Sequence, residues 1–165
     1  MRVLILGDTH IPEGGQVPIQ LLQQAGRADL VLHTGDFTSL DCYRQFESVA
    51  PRLYAVRGNR DRDELEAILL PVERFEVAGL RIVLAHGDQW GRPRPSRMAR
   101  QFGQNADVVV YGHLHKPFVE QLGPCMVINP GSPVAPRSSL ASYVVASFQD
   151  GKASARITFL ESSDP

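Results

Sequence analysis

Cysteine is scarce in this sequence, which contains only Cys42 and Cys125 among 165 residues. Two cysteines cannot build a disulfide framework, so the small secreted proteins that depend on one are excluded. We predict that both are buried, small apolar side chains of a protein from a reducing compartment, and we assign the chain to the cytoplasm.

Long apolar runs and a strong net charge are also missing. No segment approaches the roughly 18 to 20 apolar residues of a transmembrane helix. The apolar run near the N-terminus stops at Gly7-Asp8, too early for a signal peptide. The formal net charge of −1 provides no basic field for an anionic membrane or a long nucleic acid.

The remaining composition, 43% hydrophobic and 21% charged, is typical of a globular protein and predicts a single domain over residues 1–165. In the first half, short β-type runs alternate with helical stretches at 17–26, 39–49 and 61–70, which predicts parallel strands in βαβ units. The second half predicts one short helix at 95–104 and antiparallel hairpins. One of these hairpins extends from Ala141 to Glu161 and turns at Asp150-Gly151. The sequence therefore predicts an α/β fold.

Six of the predicted strands end in a short polar motif that contains or adjoins glycine. The motifs are Gly7-Asp8-Thr9-His10, Gly35-Asp36, Gly58-Asn59-Arg60-Asp61, His86-Gly87, Gly112-His113-Leu114-His115 and Asn129-Pro130-Gly131-Ser132. Ligands of α/β proteins bind beyond the carboxyl ends of the strands. We therefore expect these motifs to converge on one site.

Together the motifs supply two carboxylates, one amide oxygen and four imidazoles, without a thiolate. This donor set suits divalent ions such as Mn²⁺, Fe²⁺, Zn²⁺ or Ni²⁺. Seven ligands are too many for one ion and match two ions that share a bridging carboxylate. Two divalent ions, two carboxylates and one hydroxide leave a single positive charge, which matches a phosphodiester monoanion.

The motifs Asp-x-His, Gly-Asp, Gly-Asn-x-Asp, His-Gly and Gly-His-x-His, in this order, resemble those of the calcineurin-like metallophosphoesterase superfamily. The resemblance covers Arg2 to about Ser132, and the chain looks most like the small prokaryotic phosphodiesterases of the YfcE type. It implies a four-layer αββα sandwich, in which two mixed β-sheets are flanked by helices, and a dinuclear metal centre.

The same resemblance implies a role for each site residue. Asp8, His10 and His115 would hold one ion, Asn59, His86 and His113 the other, and Asp36 would bridge them. The ions would be Mn²⁺, with Ni²⁺, Fe²⁺ or Zn²⁺ as alternatives, and would generate the attacking hydroxide. The residues predicted to act in catalysis are Asp36, Asn59, Arg60 and His86.

Arg60 is a departure from the larger phosphatases of the superfamily, which carry a histidine after the asparagine that is credited with protonating the leaving group. Arginine stays protonated near neutral pH and cannot serve as a general acid. We predict instead that Arg60 holds a phosphate oxygen.

Several polar residues also have ordinary structural explanations. Asp61 is interpreted as a cap of the following helix, and His33 as a structural residue. Asn129 and Ser132 are expected to shape a loop under the site. An arginine cluster follows His86-Gly87, and it is either a solvated helix face or a basic wall that binds phosphate through Arg94 and Arg97. The cluster consists of Arg92, Arg94, Arg97 and Arg100.

The sequence thus predicts a metal-dependent phosphoesterase that hydrolyses small phosphodiesters. The alternatives are a non-catalytic scaffold on the same fold, of which the retromer subunit is an example, a phosphomonoesterase or protein phosphatase, and a nuclease. All seven ligand positions are filled, which counts against a scaffold. The oligomeric state, including a homo-oligomer, is left open.

Overall fold

The computed structural model describes residues 1–160, which form ten β-strands and four α-helices. The strands are β1 (Arg2–Leu6), β2 (Leu30–His33), β3 (Leu53–Ala55), β4 (Val72–Val77), β5 (Leu80–Ala85), β6 (Val108–Tyr111), β7 (Phe118–Leu122), β8 (Cys125–Asn129), β9 (Ser142–Gln149) and β10 (Lys152–Phe159). The helices are α1 (Ile19–Gly26), α2 (Leu40–Val49), α3 (Asp63–Ile68) and α4 (Pro95–Phe102). Glu161, the predicted end of the last hairpin, lies outside the described residues.

The strands form two mixed sheets of five strands each. The first sheet has the order β10-β9-β1-β2-β3, and the second has the order β4-β5-β6-β8-β7. Each sheet contains three neighbouring parallel strands, namely β1, β2 and β3 in the first and β5, β6 and β8 in the second. Antiparallel strands flank these triplets, as the hairpin pattern of the second half predicts.

Three apolar clusters define the four layers of the fold. The central cluster joins residues of both sheets, such as Ile5 and Leu32 from the first and Leu84 and Val110 from the second. A second cluster lies between the first sheet and helices α1 to α3, and a third lies between the second sheet and α4. Because each sheet buries both faces, its parallel strands are almost continuously apolar. The predicted four-layer sandwich of two sheets flanked by helices is confirmed.

The structure buries both cysteines and shows which residues begin helices α2 and α3. Cys42 and Cys125 are both buried free thiols, as predicted. The Ser39 hydroxyl caps α2 by accepting a hydrogen bond from the Cys42 N–H at 3.1 Å. The prediction for Asp61 is wrong, because α3 begins after Arg62 without a side-chain cap and the Asp61 carboxylate binds other backbone groups. None of the helices within residues 1–160 is long and apolar enough to cross a lipid bilayer.

Candidate metal centre

The six polar motifs follow β1, β2, β3, β5, β6 and β8, which are the six parallel strands of the two sheets. The two sheets therefore bring their motifs to one place, and the side chains predicted as ligands meet there. We call Asp8, His10 and His115 the first group, and Asn59, His86 and His113 the second group.

The first group is compact. Asp8 Oδ1 lies 3.2 Å from His115 Nε2 and 4.0 Å from His10 Nε2, and the two Nε2 atoms are 3.3 Å apart. One ligand atom from each of these three residues therefore falls within 4.8 Å of the others, a spacing that suits a single metal ion.

The second group is equally compact. Asn59 Oδ1 lies 3.2 Å from His86 Nε2 and 3.1 Å from His113 Nδ1, and these two nitrogens are 3.3 Å apart. Asp36 connects the groups, because its Oδ2 atom is 3.4 Å from His10 Nε2 and 3.5 Å from His86 Nε2. The ligand atoms of Asp8, Asp36 and His86 also lie within 4.8 Å of one another.

The backbone at these residues is unusual. Of the nine non-glycine residues of the described chain with positive φ, five are site residues, namely Asp8, His10, Asp36, His113 and His115. The left-handed region costs roughly 1 kcal/mol or more for such residues and tends to be used at functional sites. In each of the pairs Asp8/His10 and His113/His115, a single residue separates two residues with this backbone geometry. Each pair therefore points two side chains into the site from one short turn.

Two glycines allow the loops to approach one another. A Cβ atom on Gly58 would lie 2.2 Å from Asp36 Oδ1, and one on Gly112 would lie 2.9 Å from Asp8 Oδ2. Both distances are shorter than van der Waals contact, so any larger residue would displace a carboxylate of the site.

Each carboxylate is fixed through one oxygen and presents the other to the site. The His113 N–H donates to Asp8 Oδ2 at 2.9 Å, and the Arg60 N–H donates to Asp36 Oδ1 at 2.7 Å. Asp8 Oδ1 is buried and has no hydrogen-bond partner when the nearby His115 Nε2 carries no proton. An unpartnered buried carboxylate oxygen is costly unless a cation binds it.

Two imidazoles are oriented in the same way. His86 Nδ1 lies 2.8 Å from the Thr34 carbonyl, and His115 Nδ1 lies 2.6 Å from the Ala135 carbonyl. Because a carbonyl only accepts, these nitrogens carry the proton and donate it. In the neutral imidazoles the Nε2 lone pairs then face Asn59 Oδ1 and Asp8 Oδ1, which are also acceptors. A set of acceptors facing one another without a donor fits a cation, and the donor set suits a divalent transition metal.

Burial controls the protonation of this site. Desolvation lowers the pKa of His10 to about 4 and also lowers the pKa of His113. Desolvation raises the pKa of Asp36 to about 6, although His86 and the Arg60 N–H oppose this shift. Burial opposes protonation of His115 too, but Asp8 and the Ala135 carbonyl together outweigh burial and raise the pKa of His115. His10 and His113 are therefore neutral near pH 7 and available as ligands.

Two further predicted residues support the site from below. The Ser132 hydroxyl donates to the Asp8 carbonyl at 2.7 Å, and the Asn129 amide donates to the Gly112 carbonyl at 2.8 Å. The loop after β8 therefore holds the turns that carry Asp8 and His113, as the sequence predicts.

Asp61 has a role that the sequence interpretation missed. Its buried carboxylate accepts hydrogen bonds from the backbone N–H groups of Gly58, Asp36 and Thr38 at 2.7, 2.8 and 2.9 Å. It therefore joins the loop after β2 to the loop after β3, close to Asp36 and Asn59. Its position two residues after Asn59 was visible in the sequence, but two of its three backbone partners, Asp36 and Thr38, belong to another loop.

The predicted arginines lie outside this set of contacts. The Arg60 side chain is exposed, and only its backbone N–H contacts Asp36. Arg97 donates to the Trp90 carbonyl at 3.1 Å. Within residues 1–160, neither Arg94 nor Arg97 forms a hydrogen bond or ion pair with any of the seven proposed ligands. Their role in phosphate binding stays a prediction.

Comparisons with known proteins agree with this architecture. Residues 1–151 match the model of the calcineurin-like phosphoesterase superfamily domain. A probable metallophosphoesterase of Methanothermobacter thermautotrophicus is 35% identical over 161 residues, which cover 95% of this chain and 91% of that protein. A phosphodiesterase of Methanocaldococcus jannaschii is 29% identical over 144 residues, which cover 79% of this chain and 83% of that protein.

Solved structures show the same fold. Vps29 from Entamoeba histolytica, crystallised in complex with Zn²⁺, superposes with a TM-score of 0.76 over 96% of this chain and 99% of that one, at 24% identity. The family predicted from the order of the motifs is confirmed: the chain belongs to the calcineurin-like phosphoesterase superfamily.

Proposed function

We propose that this protein is a phosphodiesterase that uses two divalent metal ions to hydrolyse small phosphodiesters. The observation that carries the proposal is the position of Asp36 Oδ2, 3.4 Å from a histidine nitrogen of the first group and 3.5 Å from one of the second group. One carboxylate oxygen is thus within reach of both groups, as a dinuclear centre requires.

In this proposal the first group, Asp8, His10 and His115, holds one ion, and the second group, Asn59, His86 and His113, holds the other. Asp36 is the bridging ligand. Mn²⁺ is the proposed metal, and Ni²⁺, Fe²⁺ and Zn²⁺ are alternatives, because a set of oxygen and nitrogen donors without thiolate accepts each of them. Bound divalent ions supply a water of lowered pKa as the nucleophile and neutralise charge on the phosphate.

The residues of the chain itself provide orientation. The His113 N–H holds one oxygen of Asp8, and the Arg60 N–H holds one oxygen of Asp36. In each carboxylate the other oxygen is thereby fixed toward the site. Thr34 and Ala135 hold His86 and His115 in single tautomers through their carbonyls. We propose that the exposed Arg60 guanidinium contacts a phosphate oxygen, but it has no proton to give.

The choice of a diester over a monoester rests on two points. Position 60 lacks a side-chain acid, and a relative that covers most of this chain is named a phosphodiesterase. The net charge of −1 supports our proposal of a small substrate, because it does not favour the binding of long nucleic acids.

A partner-binding scaffold is the second candidate, and the likeness to Vps29 favours it. A scaffold needs no metal, however, and the buried unpartnered oxygen of Asp8 would then be an unexplained cost. We further propose that residues 1–165 form one domain and that the protein works in the cytoplasm, where its two buried thiols stay reduced.

The test is turnover by protein that has been stripped with a chelator and then reloaded separately with Mn²⁺, Ni²⁺, Zn²⁺ or Mg²⁺. The substrates are a nitrophenyl diester, the matching monoester and a panel of cyclic nucleotides. We expect about two ions per chain and faster hydrolysis of the diester than of the monoester. Binding of two ions without hydrolysis of any ester would favour the scaffold, and preference for the monoester would contradict the diester assignment.

A further inference from the structure

The loop of residues 132–139 is fixed to the metal centre at both of its ends. At one end the Ser132 hydroxyl donates to the Asp8 carbonyl at 2.7 Å, and the Ala135 carbonyl accepts from His115 Nδ1 at 2.6 Å. At the other end the Ser139 hydroxyl donates to the His115 carbonyl at 2.8 Å. The Ala135 N–H also donates to Ser132 Oγ at 2.8 Å, which closes the first turn of the loop.

Arg137 lies midway between the two anchors of this loop on His115. It is two positions from Ala135 and two from Ser139, so its Cα atom is no more than about 7 Å from either Cα. Pro133 and Pro136 restrict the backbone on this stretch. The Arg137 side chain is exposed, and within residues 1–160 it forms no hydrogen bond and no ion pair.

The two anchors place Arg137 beside the first group. Ala135 and Ser139 both bind His115, and Arg137 lies between them on the same short loop. His10 of this group is partly exposed, whereas His115 is buried. Because the Arg137 side chain is exposed, its guanidinium lies on the solvent side of the first group.

A cation in this position is unfavourable by itself. It repels any metal ion held by the first group, and no carboxylate within residues 1–160 forms an ion pair with it. Two other arginines do have carboxylate partners, since Arg57 pairs with Glu66 and Arg81 pairs with Asp107. An anion placed between the guanidinium and the ions would remove the repulsion. Phosphate suits this position because its oxygens can accept hydrogen bonds from the planar guanidinium.

We propose that Arg137 binds a non-bridging oxygen of the substrate phosphate from the side of the first group, and that its charge favours the binding of phosphoester anions on this side of the centre. This inference rests on the proposed function. It assigns phosphate binding to a residue after β8 that the sequence analysis did not indicate, in addition to the candidates Arg60, Arg94 and Arg97.

The experiment compares Arg137→Ala, Arg137→Lys and the wild-type protein after loading with Mn²⁺. Arg27→Ala is the matched control, because Arg27 is also exposed and lies after α1, near the amino end of β2 and away from the site. The measurements are kcat/KM for a nitrophenyl diester, the affinity for inorganic phosphate by calorimetry, and the affinity for Mn²⁺.

Arg137→Ala should lower both kcat/KM and phosphate affinity by about 10-fold or more, as expected for one charge-assisted hydrogen bond. Arg137→Lys should recover part of this loss. Mn²⁺ affinity in Arg137→Ala should equal or exceed that of the wild type, because a like charge has been removed. Arg27→Ala should change none of the three.

The outcomes separate this inference from the proposed function. If the wild type hydrolyses no ester, the proposed function fails, and phosphate affinity still decides the role of Arg137. If Arg137→Ala binds phosphate as tightly as the wild type, or if the wild type binds no phosphate, the inference is wrong. A fall in Mn²⁺ affinity together with phosphate affinity would show instead that Arg137 only maintains the loop, which also overturns it.

Discussion

At the scale of single residues, Asp36 combines two tasks in one carboxylate. Its Oδ1 accepts the Arg60 N–H, and its Oδ2 lies between histidines of both groups. Asparagine has the same shape and can keep the first contact through its oxygen, but it then turns an N–H₂ donor toward the site. The two tasks can therefore be separated by one substitution.

We expect Asp36→Asn to lose at least one metal ion and to lower kcat more than about 100-fold, since even residues that only support a ligand account for 10- to 100-fold. Metal analysis of the purified protein and diester turnover provide the measurements. Asp150→Asn, in the exposed turn of the last hairpin, is the control and should bind metal like the wild type. Two ions per chain at wild-type affinity in Asp36→Asn would refute the bridging assignment.

Arg60 gives a second prediction at this scale. Without a side-chain acid, the leaving oxygen departs with little protonation, so the rate should fall steeply as the pKa of the leaving group rises. Arg60→His introduces a donor with an unperturbed pKa of about 6.5 and should flatten this dependence, because general acids typically contribute about 10²- to 10⁴-fold. A series of diesters that differ only in the leaving group measures both slopes. A shallow slope in the wild type would mean that another donor is present.

His33 gives a third prediction at this scale, because its burial and its hydrogen bond both favour the neutral imidazole. Its Nδ1 accepts the Gly35 N–H at 3.1 Å and its ring stacks on Phe37, so the buried imidazole must stay neutral. Desolvation accordingly lowers the pKa of His33 well below its ordinary value of 6.5. The unfolded chain therefore binds the proton first, and the free energy of unfolding falls as pH decreases below about 6.5, by about 1.4 kcal/mol per pH unit.

His33→Asn keeps an acceptor for the Gly35 N–H but removes the titrating group. Urea unfolding of metal-free protein at pH 7 and pH 5 should show that the variant is less stable at pH 7, by about 1 to 3 kcal/mol, because the ring contacts are lost. Between the two pH values the variant should lose about 2 kcal/mol less than the wild type. Equal losses in the two proteins would show that His33 does not titrate on unfolding.

At the scale of secondary-structure elements, the loops after β2 and β3 depend on each other through Asp61. The residues that it holds, Asp36 and Thr38, both have positive φ, so the loop after β2 is intrinsically strained. The three N–H groups bound to the carboxylate offset part of this strain and also satisfy donors that would otherwise be buried without partners.

Asp61→Asn should lower the free energy of unfolding by about 2 to 4 kcal/mol, since an amide can accept from one side only and presents a donor to the remaining N–H. Chemical denaturation measures this change. Asp63→Asn removes the same charge from an exposed position two residues away and should shift stability by less than about 0.5 kcal/mol. Similar effects of the two substitutions would argue that only charge, and not the three hydrogen bonds, matters at Asp61.

How much the sequence could predict also differs between elements. The apolar strands and the turn of the last hairpin are encoded locally, and each was predicted near its observed position. The convergence of six strand ends was predictable because parallel strands share one carboxyl edge. The role of Asp61 and the approach of Arg137 to the histidines depend on contacts between loops that are distant in the chain. No local pattern encodes these contacts.

At the scale of the whole molecule, both groups of proposed ligands draw on both sheets. In the first group Asp8 and His10 follow β1, whereas His115 follows β6 in the other sheet. In the second group Asn59 follows β3, whereas His86 and His113 follow β5 and β6. The sheets also share the central apolar cluster, so they should unfold together in one transition.

Metal loading should therefore stabilise the entire domain. At a free Mn²⁺ concentration 100 times the dissociation constant, each ion adds about 2.7 kcal/mol, or a rise in Tm of roughly 5 to 10 °C for a chain of this size. Calorimetry with and without a chelator measures this shift. Two separate transitions, of which only one responds to metal, would contradict the single cooperative domain.

The long separation in sequence between the proposed ligands has a kinetic consequence. Asp8 and His115 are 107 positions apart, so they meet only after the strands between them have formed and the two sheets have docked. If the centre forms after the rate-limiting step of folding, Mn²⁺ leaves the refolding rate unchanged and slows unfolding instead. The ions then stabilise only the fully folded state, and the lifetime of the native protein lengthens as the concentration of free metal rises.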